Sequence, residues 1–354
     1  MRLSMIVVPL VVLVGCPGPE DTGKGETAAS DDTASGGGEQ DNWSPAGSGT
    51  AYFVDGESDN SLFSLELTGA NEPRDGEAYY GFVSVGEDGD PVALGEIQVN
   101  GEDVSFTSDI GENAILAGYS HFEAWASDGD GDEPGGDAVW EGDLDTTVFD
   151  VLQRLLIANP DTPTGEGSLR ALETQLEFLR DETEAASNGG LTLDELALIG
   201  EKVGNALQDP PVDSNNDANE DFYDDNLAVH SDDEKGDGFG YYELIVADFA
   251  AAAAAVPDPR DPIRGYIEEA YDGLDLTLYT VETFSQDSAR DTGSASTTGV
   301  SENLLDDVSE QMTTCLEGGD VNEDGVIDPQ VEVGIEWAIE RSSFMAHMTV
   351  NVVR

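Results

Sequence analysis

The spacing of apolar residues changes near residue 145, and this change limits the folds open to the chain. Before that point apolar and polar residues alternate in short runs, for example over 62–67 and 80–85. Alternation of this kind is typical of strands with one buried face. The pair Asn100-Gly101 between two such runs favours a tight hairpin. Several short strands separated by turn signals predict a β-sandwich over residues 50–144.

After residue 145 the apolar residues recur every three or four positions, which predicts helices. Thr192 and Glu195 have the spacing of a capping box at the start of one helix. Cys315 lies on the apolar stripe of another helix and is expected to be a small core residue. We therefore expect an α+β multidomain chain, with the sandwich followed by an antiparallel helical bundle over residues 145–354. The predicted helices are 147–158, 169–189, 192–207, 241–256, 263–284, 300–316 and 333–350.

Two acid-rich loops interrupt these helices, and the later one, 320–332, has the spacing of an EF-hand calcium loop. Oxygen ligands at alternate positions can converge on one hard cation, and Gly325 permits the sharp turn between them. Val331 occupies the twelfth position, where an EF-hand loop usually has an acid, and Glu332 follows one residue late. This departure is expected to weaken the affinity for calcium. The predicted ligands are Asp320, Asn322, Asp324, the carbonyl of Val326, Asp328 and Glu332.

The earlier loop, 213–224, carries oxygen at all the positions that an EF-hand uses. Ala218 replaces the usual glycine, which puts the turn geometry in question. For both loops the alternative is a solvated acidic segment without an ion. A third acidic run, 128–132, lies between two strands and is expected to be an exposed hairpin tip. The predicted ligands of the earlier loop are Asp213, Asn215, Asp217, Asn219, Asp221 and Asp224.

The charge balance narrows the range of partners. The chain has 76 acidic and 13 basic residues and a formal net charge of −63. Such a chain repels nucleic acid and anionic lipid head groups and attracts cations, calcium above all. The alternative is that the excess acid serves solubility only.

The first sixteen residues predict export. Arg2 precedes an apolar run over 5–14 that is too short to span a bilayer and ends in Leu-Val-Gly-Cys at Cys16. This ending resembles the lipobox of bacterial lipoproteins, and the resemblance implies a signal peptide over 1–16 and a lipid on Cys16. Residues 17–49 are rich in Gly, Ser, Thr and Asp and are expected to form a disordered tether. We therefore expect a lipid-anchored, extracytoplasmic protein of the bacterial cell envelope, in which Cys315 has no disulfide partner.

The β-rich region contains the segments YYGFVS (79–84), PVALG (91–95), HFEAW (121–125), PGG (134–136) and VWEG (139–142). Together they resemble the extracytoplasmic domain of anti-sigma-K factors. The resemblance implies a fold and not an activity, because the helical half that would bind a sigma factor is absent. A β domain followed by a helical part with EF-hand or dockerin-like loops is similar to the arrangement in a group of uncharacterised bacterial proteins. This second resemblance does not imply a particular reaction.

No catalytic motif can be recognised in the sequence. His121, His230 and His347 fall in separate segments, and neither zinc-ligand spacing nor a phosphate-binding loop is present. The sequence thus favours a calcium-dependent, non-enzymatic binding or structural module with a protein or glycan partner. Two alternatives stay open: an extracytoplasmic regulatory sensor and a carbohydrate-active hydrolase. The hydrolase would need two facing carboxylates in a pocket with a stacked Trp125 or Trp140.

Overall fold

The computed structural model describes residues 43–54, 60–129, 131–209, 223, 227–231, 240–320 and 332–353. The predicted signal peptide, Cys16 and residues 17–42 of the predicted tether lie outside these ranges. The described residues belong to one compact unit that begins at Trp43.

Nine of the eleven strands in the described ranges form one antiparallel sheet. Its spatial order is β4-β3-β7-β8-β11-β1-β2-β6-β5, and the remaining strands, β9 and β10, pair with each other. The strands are β1 Ser48–Val54, β2 Leu62–Thr68, β3 Ala78–Ser84, β4 Val92–Ile97, β5 Val99–Asn100, β6 Asp103–Asp109, β7 His121–Ser127, β8 Asp137–Asp143, β9 Gln208–Asp209, β10 His230–Ser231 and β11 His347–Val352.

The nine-stranded sheet nearly closes on itself. Strand β4 runs through Gln98 into β5, which pairs with β6 at the far end of the order. Ser108 on β6 also donates a hydrogen bond to the carbonyl of Leu94 on β4, at 2.8 Å. The predicted α+β class is confirmed, but the predicted sandwich of two sheets is wrong, because the strands continue in a single curved sheet.

The apolar side of the alternating strands fills the interior of the curved sheet. Phe63, Phe122 and Trp140 are fully buried. The rings of Phe63 and Phe122 stack with centroids 5.1 Å apart, and Tyr79 lies 4.6 Å from Trp140. Aromatic side chains bury large areas, so a sheet with one apolar face gains most by closing around them.

The C-terminal strand β11 lies between β8 and β1, where it pairs with both neighbours. The sequence predicted one helix over 333–350, and this is wrong for its second half, because the helix ends at Ser343. The reason is visible in the pattern: Met348 and Val350 are buried while Thr349 between them is exposed, which is a period of two. This strand crosses the boundary predicted between residues 144 and 145.

The helical region agrees closely with the prediction over residues 147–284 and 300–316, but the helix at Gln286–Thr292 was not predicted. Asp145 caps α2 by accepting the amide of Thr147 at 2.8 Å, and Thr192 and Glu195 form the predicted capping box. A π-helical turn, Val281–Ser285, joins α6 to α7. The helices are α1 Ala114–Ala117, α2 Thr146–Leu156, α3 Ser168–Asn188, α4 Leu193–Leu207, α5 Tyr241–Ala255, α6 Pro262–Thr280, α7 Gln286–Thr292, α8 Thr298–Glu317 and α9 Ile335–Ser343.

Two further predictions can be compared with the structure. Cys315 is a fully buried free thiol on α8, which confirms its place in the core. The predicted tether is too long at its C-terminal end, because β1 begins at Ser48. Trp43 donates to the carbonyl of Glu72 at 2.9 Å and lies under the Arg74 guanidinium, 4.3 Å from the ring centre. Residues from Trp43 onward therefore belong to the fold.

The position of β11 predicts unequal effects of lysine at neighbouring residues. Met348→Lys places a charge in the core and should lower the free energy of unfolding by about 3 kcal/mol or more. Thr349→Lys is the matched control on the exposed face of the same strand and should change it by less than about 0.5 kcal/mol. Urea denaturation of both variants checks this, and equal losses would contradict the assigned strand.

Candidate functional site

The two ends of the later acidic loop lie side by side. Gly319, just after α8, donates its amide hydrogen to the carbonyl of Glu332 at 2.9 Å, and α9 begins three residues later at Ile335. The two residues that flank the predicted loop therefore lie next to each other. The Glu332 side chain is only 2% exposed, and Asp320 is half-buried.

Two glycines make this close approach possible. Gly318 has φ of +86° and ψ of 173°, a conformation that is open almost exclusively to glycine. A Cβ atom on Gly318 would collide with the Glu332 carbonyl, and one on Gly334 would collide with the Leu316 carbonyl. The ligand spacing in the sequence does not indicate these glycines, although a Gly pair directly after a helical pattern is a common helix-ending signal.

Acidic side chains surround the base of this loop. Burial and the neighbouring negative charges raise the pKa of the Glu336 carboxyl on α9 above its ordinary value, with a smaller opposing effect from Arg180. The contributing neighbours are Glu173, Glu177 and Glu317. Burial is the largest cause of this shift, and the neighbouring carboxylates add a negative potential that a bound cation would relieve.

Of the twelve predicted calcium ligands, the structure describes Asp320 and Glu332. Asn322, Asp324, Val326 and Asp328 of the later loop lie outside the described residues. All six ligands of the earlier loop, Asp213, Asn215, Asp217, Asn219, Asp221 and Asp224, lie outside them as well. Within the described ranges, no group of three or more His, Cys, Asp or Glu side chains is placed to hold a metal ion.

The chain on either side of the earlier loop is also held together. Strands β9 and β10 pair in parallel, with His230 opposite Gln208. The amide of Val229 donates to the carbonyl of Ala206 on α4 at 3.0 Å. The segment between them is thus closed at its base, as the later one is.

His230 links β10 to two helical segments. Its Nδ1 lies 2.7 Å from a carboxylate oxygen of Glu243 on α5, and its Nε2 lies 3.2 Å from Glu282 in the π-helical turn. The second oxygen of Glu243 accepts the amide of Ser231 at 3.2 Å. These contacts give the imidazole a clear structural role.

His121 lies between two carboxylates on the outer face of the sheet. Its Nδ1 is 2.6 Å from Asp143 on β8, and its Nε2 is 2.8 Å from Glu123 on its own strand. The other oxygen of Glu123 accepts the indole N–H of Trp125 at 2.8 Å. Burial disfavours the charged imidazole, but the hydrogen bonds and charges of Asp143 and Glu123 outweigh it and raise the pKa of His121.

His347 has a different environment on β11. Its ring stacks parallel to Tyr52 with centroids 6.0 Å apart and lies 6.2 Å from the ring of Tyr266. Burial lowers the pKa of His347, against a smaller opposing effect of Asp261, so the ring is neutral at pH 7. His121 and His347 thus serve packing and strand pairing, and the three histidines occupy three separate sites.

The tryptophans bear on the hydrolase alternative. Trp140 is fully buried and its indole N–H donates to the carbonyl of Ala46 at 2.9 Å, so its ring is not available to a sugar. Trp125 is half-buried and held by Glu123.

Among the described helices, none is long and apolar enough to cross a membrane.

No family model, no curated protein and no solved structure matches this chain.

The environment of His121 predicts a pH-dependent contribution to stability. Because its pKa is higher in the folded chain, the stabilisation is complete below the ordinary pKa of about 6.5 and is lost as pH rises through the folded value. His121→Gln should therefore lower the melting temperature more at pH 6 than at pH 9. Thermal denaturation across this pH range measures the difference. The melting temperature of Asp143→Asn should depend less on pH than that of the wild type. A His121→Gln effect that is independent of pH would contradict this assignment.

Proposed function

We propose that this chain is a lipid-anchored protein of the bacterial cell envelope whose helical part is stabilised by calcium and which acts by binding or scaffolding. The observation that carries the proposal is the closed connection between α8 and α9. An EF-hand spacing of oxygen ligands runs through a segment whose ends are joined by the bond between Gly319 and Glu332.

Charge neutralisation supplies the mechanism. The carboxylates of the later loop repel one another, and the acids at its base add to that repulsion. A divalent cation would hold Asp320, Asp324 and Asp328 together, with Asn322 and the Val326 carbonyl completing the set. Since metal binds the folded loop more strongly than the unfolded chain, binding energy adds to folding energy.

Glu332 would supply the closing carboxylate. Glu332 is buried at the end of an acid-rich loop. Its backbone is fixed by the bond from Gly319, so its side chain starts from a defined position one residue beyond the usual one. This placement supports the reading in which local adjustment replaces the missing acid at Val331.

The earlier loop is proposed as a second, weaker calcium site. Its support is the closed base formed by β9, β10 and the bond from Val229 to Ala206. Ala218 in place of glycine makes its turn less favourable.

The anchor and the partner complete the proposal. A lipid on Cys16 would hold the chain on a membrane, and the Gly- and Ser-rich segment after it would separate the folded part from the surface. The net charge of −63 disfavours nucleic acid, so a protein or glycan partner is proposed.

Calcium titration of the full chain tests the proposal. Calorimetry should show saturable binding, and calcium at one hundred times its dissociation constant should stabilise the chain by about 2.7 kcal/mol, seen as a higher melting temperature. The double variant Asp324→Ala with Asp328→Ala should lose both effects at the later loop, whereas Asp217→Ala should affect only the second site.

Controls must separate a specific site from general screening of a strongly acidic chain. Magnesium chloride and sodium chloride at matched ionic strength should stabilise the chain less than calcium does. The double variant Asp88→Ala with Asp128→Ala removes two exposed acids from the sheet connections and should bind calcium normally. If the wild type shows no saturable heat, or if both double variants respond alike, the calcium proposal is wrong.

A further inference from the structure

Two half-exposed aromatic side chains, called the aromatic pair below, meet at the π-helical turn between α6 and α7. Tyr279 is 50% exposed and Phe284 is 42% exposed. Their ring planes are nearly perpendicular, at 83°, and the ring centroids lie 5.9 Å apart. Large apolar side chains that are exposed singly are normal on a protein surface, whereas adjacent ones form a surface that a partner can cover.

The π-helical turn is what brings these two rings together. In a regular α-helix, side chains five residues apart point about 140° away from each other around the axis. In this turn the amide of Gln286 donates to the carbonyl of Val281, five residues earlier, so the turn is wider than an α-helical one. Such turns are rare and frequently occur at functional sites. The irregular turn thus builds the exposed pair.

The charge along this part of the chain is negative. Between Arg264 and Arg290 the sequence has six acidic residues and no Lys or Arg. Asp275 is exposed one helical turn before Tyr279. Glu282, inside the π-helical turn, has a side chain that is 51% exposed. The six acids are Glu268, Glu269, Asp272, Asp275, Glu282 and Asp287.

Cations of the chain itself cover other aromatic rings. The guanidinium of Arg341 lies 3.7 Å from the ring centre of Trp337, and that of Arg74 lies 4.3 Å from the ring centre of Trp43. In the part of the chain that the structure describes, no Lys or Arg lies over either ring of the aromatic pair. The pair is therefore open to a cation from another molecule.

We propose that the aromatic pair docks a basic segment of a partner protein, with an arginine or lysine side chain against the rings of Tyr279 and Phe284. A cation is attracted to the face of an aromatic ring, and the planar guanidinium of arginine also stacks on it. The acids on the same helix would attract the same cation. With a net charge of −63 the chain repels an acidic partner, and a neutral glycan would gain nothing from the charge.

This proposal gives the chemistry of the partner in the binding role proposed above and rests on that role. It does not depend on the calcium loops, because the aromatic pair lies on α6 and the π-helical turn.

The test uses the peptide acetyl-Arg-Gly-Arg-Gly-Arg-amide and a matched peptide in which citrulline replaces each arginine. Citrulline has nearly the shape of arginine but no charge. Binding to the full chain is measured by ligand-observed NMR in about 0.15 M sodium chloride, which screens long-range attraction between exposed charges. The arginine peptide should bind, and the citrulline peptide should bind much more weakly.

Variants that keep the net charge separate the aromatic contact from general attraction to an acidic chain. Tyr279→Leu and Phe284→Leu each remove one half-exposed ring and should each weaken binding of the arginine peptide about twofold to fivefold, as expected for one exposed cation–π contact. Tyr279→Phe keeps the ring and should bind as the wild type does.

Phe178→Leu is the matched control. Phe178 is 43% exposed on α3, and the ring that it contacts, Tyr223, already has the Lys202 amine 5.7 Å from its centre. Its removal should leave the affinity for the arginine peptide unchanged. Thermal denaturation of each variant checks that the fold is retained.

Two results would overturn the proposal. The first is an arginine peptide that binds Tyr279→Leu and Phe284→Leu as tightly as the wild type. The second is a neutral oligosaccharide, maltohexaose, that binds the wild type and is lost in Tyr279→Leu while the arginine peptide does not bind. Repeating the titrations with and without calcium keeps the two proposals apart, since a chain that binds calcium but not the peptide contradicts only the present one.

Discussion

The pairing of the C-terminal strand with the first strand is the contact on which the rest of the structure depends. Strand β11 lies between β8 and β1, so without it the nearly closed sheet would be open between these two strands. Met348 and Val350 on this strand are fully buried in the same core as Phe53 and Trp140. Backbone hydrogen bonds on both edges and apolar contacts on one face therefore join the last residues of the chain to the first described strand.

This arrangement connects the sheet to the candidate calcium loop. The chain passes from α8 through the loop into α9, and only three residues separate α9 from β11. The loop base is fixed on its other side as well, since Thr277 on α6 donates to the Cys315 carbonyl at 3.3 Å and α6 packs closely at Gly273 against Gly334. A cation that held the loop would thus restrain the helix that leads directly into the centre of the sheet. The proposed stabilisation by calcium would then extend beyond the loop itself.

The sequence was sufficient for local structure where one period continued over a whole element. The helices α2 to α6 and α8 and the hairpin at Asn100-Gly101 follow from such patterns. Helix α7 was not predicted, and most of the π-helical turn was included in the helix predicted over 263–284. Single-sheet closure could not be predicted, because it depends on which strands pair over long distances. The prediction of one helix over 333–350 failed because a helical period and a strand period follow each other there within a few residues. In the candidate site the spacing of the calcium ligands could be recognised in the sequence. The close approach of the two loop ends could not, because it depends on the absence of a Cβ atom at Gly318 and Gly334.

Hydrogen exchange of the backbone amides of residues 347–352 tests this account most directly. The account predicts that these amides exchange as slowly as those of β1 and β8, more slowly than those of the hairpin strand β5, and more slowly still when calcium is added. Rapid exchange typical of a frayed chain end, with calcium and without it, would contradict the central position of this strand and its coupling to the loop.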